Sequence, residues 1–210
     1  NIAHQLKTPI TAMSLSLQMM QEEGISRNRY VLRIKNLLDR LTRLEEALLL
    51  LARIDADGLA LKRRETDLFT LLTLSADNLQ ELSEAREICV EIPETAAMKV
   101  RVDLDWTMEG VMNLMKNCME HSPAGGTVYC SCQENPLYVQ IKIRDEGEGF
   151  DEEELEHLFE RFYRGRHAAE GSAGIGLAIA REIIERQNGV LEAYNLPRGG
   201  ACFEIRLYCH

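Results

Sequence analysis

Long apolar runs are missing from this chain of 210 residues. The densest, Ala47–Ala52, falls far short of the ~18 consecutive apolar residues that a membrane-spanning helix needs, so no spanning helix is expected. An excess of cations is missing too: 24 Lys and Arg stand against 34 Asp and Glu, a net charge of -10. Phosphate backbones are bound by clustered Lys and Arg, so nucleic acid is excluded as the main partner, although a local basic pocket is not. Cys89, Cys118, Cys130, Cys132, Cys202 and Cys209 include no C-x-x-C pair, so neither a zinc site nor a redox motif is indicated and reduced thiols of a cytosolic protein are expected. Low-complexity segments and internal repeats are absent. The chain opens at Asn1 with no initiator Met, and chemically interesting residues begin almost at once, so it reads as a segment of a longer protein.

What is present is enough to fold: 45% of residues are hydrophobic and 28% charged, a globular composition, and the length suits one generous domain or two small ones. Two periodicities divide it. Over residues 1–23, Leu6, Ile10, Met13, Leu17 and Met20 step by four and three, the spacing of one narrow helical seam. Between Arg29 and Ala56 a second seam, Ile34, Leu37, Leu41, Leu44, Leu48 and Leu51, repeats the heptad pattern. Gly24–Asn28 can close the two helices into an antiparallel hairpin. Two helices bury such seams poorly alone, so a four-helix bundle built from two chains is expected, that is, a homodimer.

Beyond Asp55–Gly58 the pattern changes. A strand is expected near Leu61, a helix over Leu68–Leu82, and strands at Ile88–Ile92, Met98–Val102, Thr127–Cys132, Tyr138–Arg144, Val190–Tyr194 and Ala201–Leu207. Helices fit Leu104–His121 and Ile175–Gln187, and Glu134-Asn135-Pro136 reads as a turn. The mixture predicts an α+β fold with one sheet covered on one side by helices. The expected domains are 1–58 and 59–210.

Four clusters carry chemistry. His4-Gln5-Leu6-Lys7-Thr8-Pro9 places an imidazole off the seam and facing solvent, beside a proline that removes a helical N–H and loosens the turn. Taken alone, it is as readily a surface histidine near a helix start. Asn113 and Asn117, four apart, share a helical face and offer neutral oxygens suited to Mg²⁺ or to phosphate; two asparagines on a solvated face is the plainer alternative. Asp145-Glu146-Gly147-Glu148-Gly149 follows a strand, where a carboxylate can accept from an exocyclic amine and glycines admit a flat ring, or where an acidic turn merely links two elements. Gly171–Leu177 runs into a helix and exposes N–H groups to phosphate, but its Gly-x-x-Gly-x-Gly spacing is not the dinucleotide fingerprint. The long segment between Gly149 and Gly171 has the length of a lid or binding loop.

In this order the clusters resemble the transmitter core of bacterial two-component sensor histidine kinases, over essentially all of the chain. His4–Pro9 resembles the phospho-acceptor box, Asn113–Asn117 the N box, Asp145–Gly149 the first glycine box, Phe159–Tyr163 the F box and Gly171–Leu177 the second glycine box. The resemblance implies a dimeric four-helix bundle formed by the N-terminal hairpin, followed by an α/β sandwich of the gyrase and histidine-kinase type. It implies a protein histidine kinase that uses ATP and Mg²⁺. His4 would take the phosphate and pass it to an aspartate of a response-regulator receiver domain. Asp145 would hold the adenine amine, Asn117 the metal, and Asn113 the phosphate and metal shell. Gly147 and Gly149 would shape the base pocket, and Gly174, Gly176 and Leu177 the lid backbone around the triphosphate. Arg161 or Arg164 would clamp the γ-phosphate, since a guanidinium fork matches its oxygens. Thr8 resembles the residue that positions water to hydrolyse the regulator's aspartyl phosphate. The membrane would be reached only through an N-terminal sensor region outside this chain, which would be the cytoplasmic domain of an anchored protein.

Three residues depart from the family pattern: Gln5 where an acid usually follows the histidine, Glu120 where a base is usual three positions after Asn117, and Cys118 where many members have Ala. Gln5 and Glu120 are what support the alternative, a nucleotide-binding signalling scaffold of the same fold whose catalysis has decayed.

Overall fold

The computed structural model describes residues 10–15, 19, 27–56, 60–94, 98–166 and 173–208. Two compact units are present, Asn1–Leu59 with Glu170–Ala173, and Ala60–Ala169 with Gly174–His210.

In the first unit, residues 10–15 are helical and Ser14 Oγ donates to the Ile10 carbonyl at 3.0 Å. Helix α1 spans Arg27–Asp55, 29 residues, or about 43 Å at 1.5 Å per residue. Its expected seam is the protected face: Leu44 and Leu51 are buried with Tyr30 and Ile54, and Ile34, Leu37, Leu41 and Leu48 are partly covered. Beside that face Val31, Leu38 and Leu49 stand about half exposed. Steps of seven and eleven residues return to one side of a helix, so these three form a second apolar stripe. Ile10, expected in the first seam, is also exposed.

The second unit is built on a five-stranded sheet. Strands β1 (Arg64–Asp67) and β3 (Lys99–Val102) pair with each other as a separate antiparallel ribbon. Strands β2 (Cys89–Glu91), β4 (Thr127–Glu134), β5 (Tyr138–Arg144), β6 (Gly189–Asn195) and β7 (Ala201–Tyr208) lie in the order β2-β4-β5-β7-β6. Only β2 and β4 pair in parallel. Along β5, Val139, Ile141 and Ile143 are buried, Tyr138, Gln140 and Lys142 half-covered and Arg144 exposed, the period of two that puts one face on a core. Phe203, Ile205 and Leu207 of β7 extend that face.

Helices α2 (Leu68–Asp77), α4 (Leu104–His121) and α6 (Gly176–Arg186) supply the other side of the core through Leu68, Leu71, Leu72, Val111, Leu114, Met115 and Ile184. Each fully buried side chain of this kind contributes about 1.5–3 kcal/mol. Asp103 caps α4 by accepting from Trp106 N at 3.2 Å, and Ser122 before Pro123 stops it.

Two expectations shift. The strand sought near Leu61 begins at Arg64, because Thr66, Val100 and Val102 are the positions that reach the core. The single helix over Leu68–Leu82 is two, α2 and α3 (Gln80–Arg86): Asn78 turns its side chain back onto the Leu74 carbonyl at 2.7 Å, and Leu79 N bonds Ala76 O. A short helix, α5 (Glu152–Leu155), was not foreseen.

The outer face of the sheet carries a polar network. Glu204, buried in β7, receives Gln140 Nε2 at 2.6 Å, Tyr194 Oη at 3.0 Å, Arg206 Nε at 2.8 Å and Lys142 Nζ at 3.3 Å. Burial pushes its pKa up, but the bonds from Arg206, Tyr194, Lys142 and Gln140 outweigh that and hold the carboxyl at about 2.

Candidate nucleotide-binding site

The site forms where the C-terminal half of α4 meets the turn after β5. Asn113 donates through Nδ2 to the Glu109 carbonyl at 2.9 Å, which turns its Oδ1 toward the start of α6: a Cβ on Gly176 would stand 2.6 Å from that oxygen. The absence of a side chain at Gly176 thus brings the asparagine pair and the second glycine cluster together. One turn on, Asn117 Oδ1 is buried with no hydrogen-bond partner.

Asp145 is 2% exposed. Its Oδ1 accepts from Gly147 N and from Ala201 N, both at 2.9 Å, and its own N–H donates to Ala201 O at 3.0 Å. Its Oδ2 is buried and unpartnered. Glu146 fastens the same turn to β4, accepting from Thr127 N at 2.9 Å and Tyr129 Oη at 3.1 Å. A Cβ at Gly147 would lie 2.5 Å from His121 O, so that glycine lets the turn close on the end of α4. The fully buried Cys118 thiol has its pKa pushed well up by burial, and then by the neighbouring charge of Asp145, so it stays protonated.

A buried polar atom without a partner costs about 1–3 kcal/mol, and buried polar groups are otherwise paired. Asn117 Oδ1 and Asp145 Oδ2 are therefore two acceptors suited to donors from a ligand: a neutral oxygen fit for a hard cation or an N–H, and a carboxylate oxygen fit for an amine.

The segment after Gly149 packs onto the sheet. Phe150 and Phe159 meet Phe203 edge-on, with centroids 5.6 and 6.4 Å away, and Arg181 lies over Phe159 at 5.4 Å. Phe162 N donates to Gly174 O at 2.7 Å. Gly174 has φ +67, and a Cβ there would collide with the Tyr163 carbonyl, so the F-box segment and the second glycine cluster are held backbone to backbone. Leu177 packs partly buried against the core. The start of α6 follows, where the N-cap residue Ile175 makes no side-chain capping bond. Arg161 points to Glu182 of α6 at 4.0 Å, and Arg164 is exposed. His157, on the surface, is bonded to Glu160 and has its pKa raised by that bond and charge.

Of the residues expected in the site, Asn113, Asn117, Asp145, Gly147, Gly149, Gly174, Gly176 and Leu177 line connected elements, while Arg161 is engaged by Glu182. His4, Gln5 and Thr8 lie outside the described residues. Sequence reasoning missed Gly200, Ala201 and Asn195. Gly200 and Ala201 act through main-chain atoms; the pair Gly199-Gly200 was the only sign of them.

Residues 102–209 match the family described as histidine kinase-, DNA gyrase B-, and HSP90-like ATPase, and residues 1–57 match the His Kinase A (phospho-acceptor) domain. Sensor protein SphS of Synechococcus elongatus is 34% identical over 99% of this chain and 53% of its own length. The Acinetobacter baumannii histidine kinase AdeS superposes with a TM-score of 0.81, at 23% identity, over 98% of this chain and 97% of that one. Histidine kinase ThkA, solved in complex with response regulator protein TrrA, superposes with a TM-score of 0.77 at 21% identity, over 99% of this chain and 59% of ThkA. At such identities the structural likeness is one of fold. The chain spans about half the length of the curated relatives it matches first.

Proposed function

Since this chain belongs to the histidine kinase-, DNA gyrase B- and HSP90-like ATPase family, as the transmitter core of a two-component histidine kinase, we propose that it phosphorylates His4 from ATP and passes the phosphate to an aspartate of a response-regulator receiver domain. In this reading residues 59–210 bind the nucleotide and residues 1–58 present the histidine and dimerise. The observation that supports it most is the pair of buried, unpartnered oxygens on Asn117 and Asp145.

Asp145 Oδ2 would accept the 6-amine of adenine while Oδ1 stays on its two backbone donors. Asn117 and Asn113 would hold Mg²⁺ through their amide oxygens; when bound, the ion neutralises charge on the phosphate oxygens. The N–H groups that open α6, beside Asn113, would favour anionic groups. A guanidinium for the γ-phosphate is proposed from Arg161 or Arg164, Arg161 exchanging Glu182 for phosphate. The nucleophile that His4 would offer is a neutral imidazole nitrogen. One ring nitrogen forms the N–P bond as the β–γ bridging P–O bond breaks and ADP leaves; the proton on the other nitrogen then goes to an external acceptor, since Gln5 can orient the ring but cannot take a proton. Thr8, four residues after His4 in the sequence, is proposed to position water in a second, regulator-phosphatase activity.

A homodimer accords with the half-exposed stripe Val31, Leu38 and Leu49 beside the covered seam. Among the described residues no helix is long and apolar enough to cross a membrane; the chain is proposed to be the cytoplasmic part of an anchored sensor.

Incubation with γ-labelled ATP tests this reading. The expected product is an acid-labile, base-stable phosphoprotein that disappears in His4→Ala while ATP binding persists. ATP binding with no label in the parent protein would favour the decayed scaffold, and label persisting in His4→Ala would sink the site assignment.

A further inference from the structure

Asn195 is the last residue of β6, and none of the chemistry above uses it. Its side-chain amide makes two bonds to one residue 45 positions away: Oδ1 accepts from Phe150 N at 2.7 Å, and Nδ2 donates to Phe150 O at 2.8 Å. This is the pattern by which a neighbouring strand would pair, delivered by a side chain where the β6 ladder stops at Asn195↔Ala201. Gly149 makes room for it: φ there is +87, and a Cβ would stand 2.6 Å from Asn195 Oδ1. Phe150 is then fixed at both ends, its backbone on Asn195 and its ring on Phe203. The turn that follows β6 is closed by Leu196 N to Gly200 O at 2.9 Å, and it delivers Ala201 N to Asp145 Oδ1. One hairpin therefore grips the first glycine cluster twice, at Asp145 before it and at Phe150 after it.

We propose that Asn195 is a positioning residue of the nucleotide site, whose amide locks the Phe150 backbone and so holds the segment after it, toward the phosphates, in register with the separately anchored carboxylate of Asp145. The inference rests on the nucleotide-site reading of Asp145. Without the lock, the Phe150 backbone loses both of its bonds to β6, and the phosphate-side elements are no longer held in register with the base. Only Asn satisfies both bonds at this reach: Asp has no donor for the Phe150 carbonyl, and Ala has neither group.

The test compares ATP with adenosine on the full chain. In Asn195→Ala, ATP affinity is expected to fall roughly 10-fold, the equivalent of one net hydrogen bond, while adenosine affinity changes less than about twofold because Asp145 keeps its own anchors. Hydrogen exchange should quicken at the amides of Phe150 and Glu152–Leu155. Asn195→Asp should be no better than Ala, since a carboxylate oxygen would face the Phe150 carbonyl. Unchanged ATP affinity in Asn195→Ala, an equal loss for ATP and adenosine, or full recovery in Asn195→Asp would each overturn the proposal. A parent protein that binds neither ligand would refute the nucleotide-site reading itself, and this inference with it.

Discussion

Replacing Glu204 by Gln removes the charge around which the outer face of the sheet is organised and leaves the shape nearly unchanged. The side chain is 6% exposed and takes hydrogen bonds from strands β5, β6 and β7, so it ties the sheet's last three strands together. Glutamine is isosteric with the protonated acid, so the cost of the substitution approximates the free energy that holds the carboxyl at about 2 instead of its ordinary 4.5. At about 1.4 kcal/mol per unit that difference amounts to about 3 kcal/mol near neutral pH. Because the folded-state pKa is the depressed one, the contribution is complete above the unfolded-state value and disappears as pH falls toward 2. Urea unfolding at pH 7 should show the variant about 3 kcal/mol less stable, and near pH 3 the gap should have shrunk to roughly half of that. The same gap at both pH values, or a gap below about 1 kcal/mol at pH 7, would show that packing and not charge organises this face.

Asp145→Asn should fold normally, because Oδ1 can still accept from Gly147 and Ala201, but it turns a donor NH₂ toward the adenine amine; titration with ATP should show at least a ~10-fold loss, and an unchanged affinity would place the base elsewhere. Gly174→Ala forces a side chain into positive φ and against the Tyr163 carbonyl, so it should cost about 1–3 kcal/mol and loosen the F-box segment, read as faster proteolysis at Arg161 to Arg166. Leu38→Asp combined with Leu49→Asp alters only the half-exposed stripe of α1, leaving the covered seam intact; light scattering should report a monomer, and an unchanged dimer would move the interface off that stripe.

Where local signals and tertiary burial agreed, sequence and structure coincide. Helix Leu104–His121 was legible because Asp103 caps it and Ser122-Pro123 end it; strand Tyr138–Arg144 because Val139, Ile141 and Ile143 alternate with polar residues and Asn135 turns the chain before it, accepting from Leu137 N and Tyr138 N. The break between α2 and α3 was not, since Asn78 and Leu79 suit a helix interior well enough and only the tertiary path bends them. In the site, Asp145 and the asparagine pair announced themselves by side-chain type. The donors that orient Asp145 did not, because a backbone N–H is common to nearly every residue and carries no side-chain signature. Asn195 was invisible for a different reason: an asparagine at a strand end ordinarily marks a turn, and its partner Phe150 is 45 residues away.

The main-chain origin of both donors to Asp145 Oδ1 bears on which substitutions these turns tolerate. An anchor made of N–H groups survives substitution of the residue that carries it, provided the path of the backbone is kept. Glu148 and Arg198, exposed on the same two turns, can therefore change identity at little cost to the placement of the Asp145 carboxyl, and even Ala201 is constrained by volume more than by chemistry. The steric constraint falls instead on Gly147 and Gly200, whose missing Cβ atoms make room for His121 O and Asp145 O. Substitution can thus vary the rim of these two turns while the angle of the Asp145 carboxyl is kept.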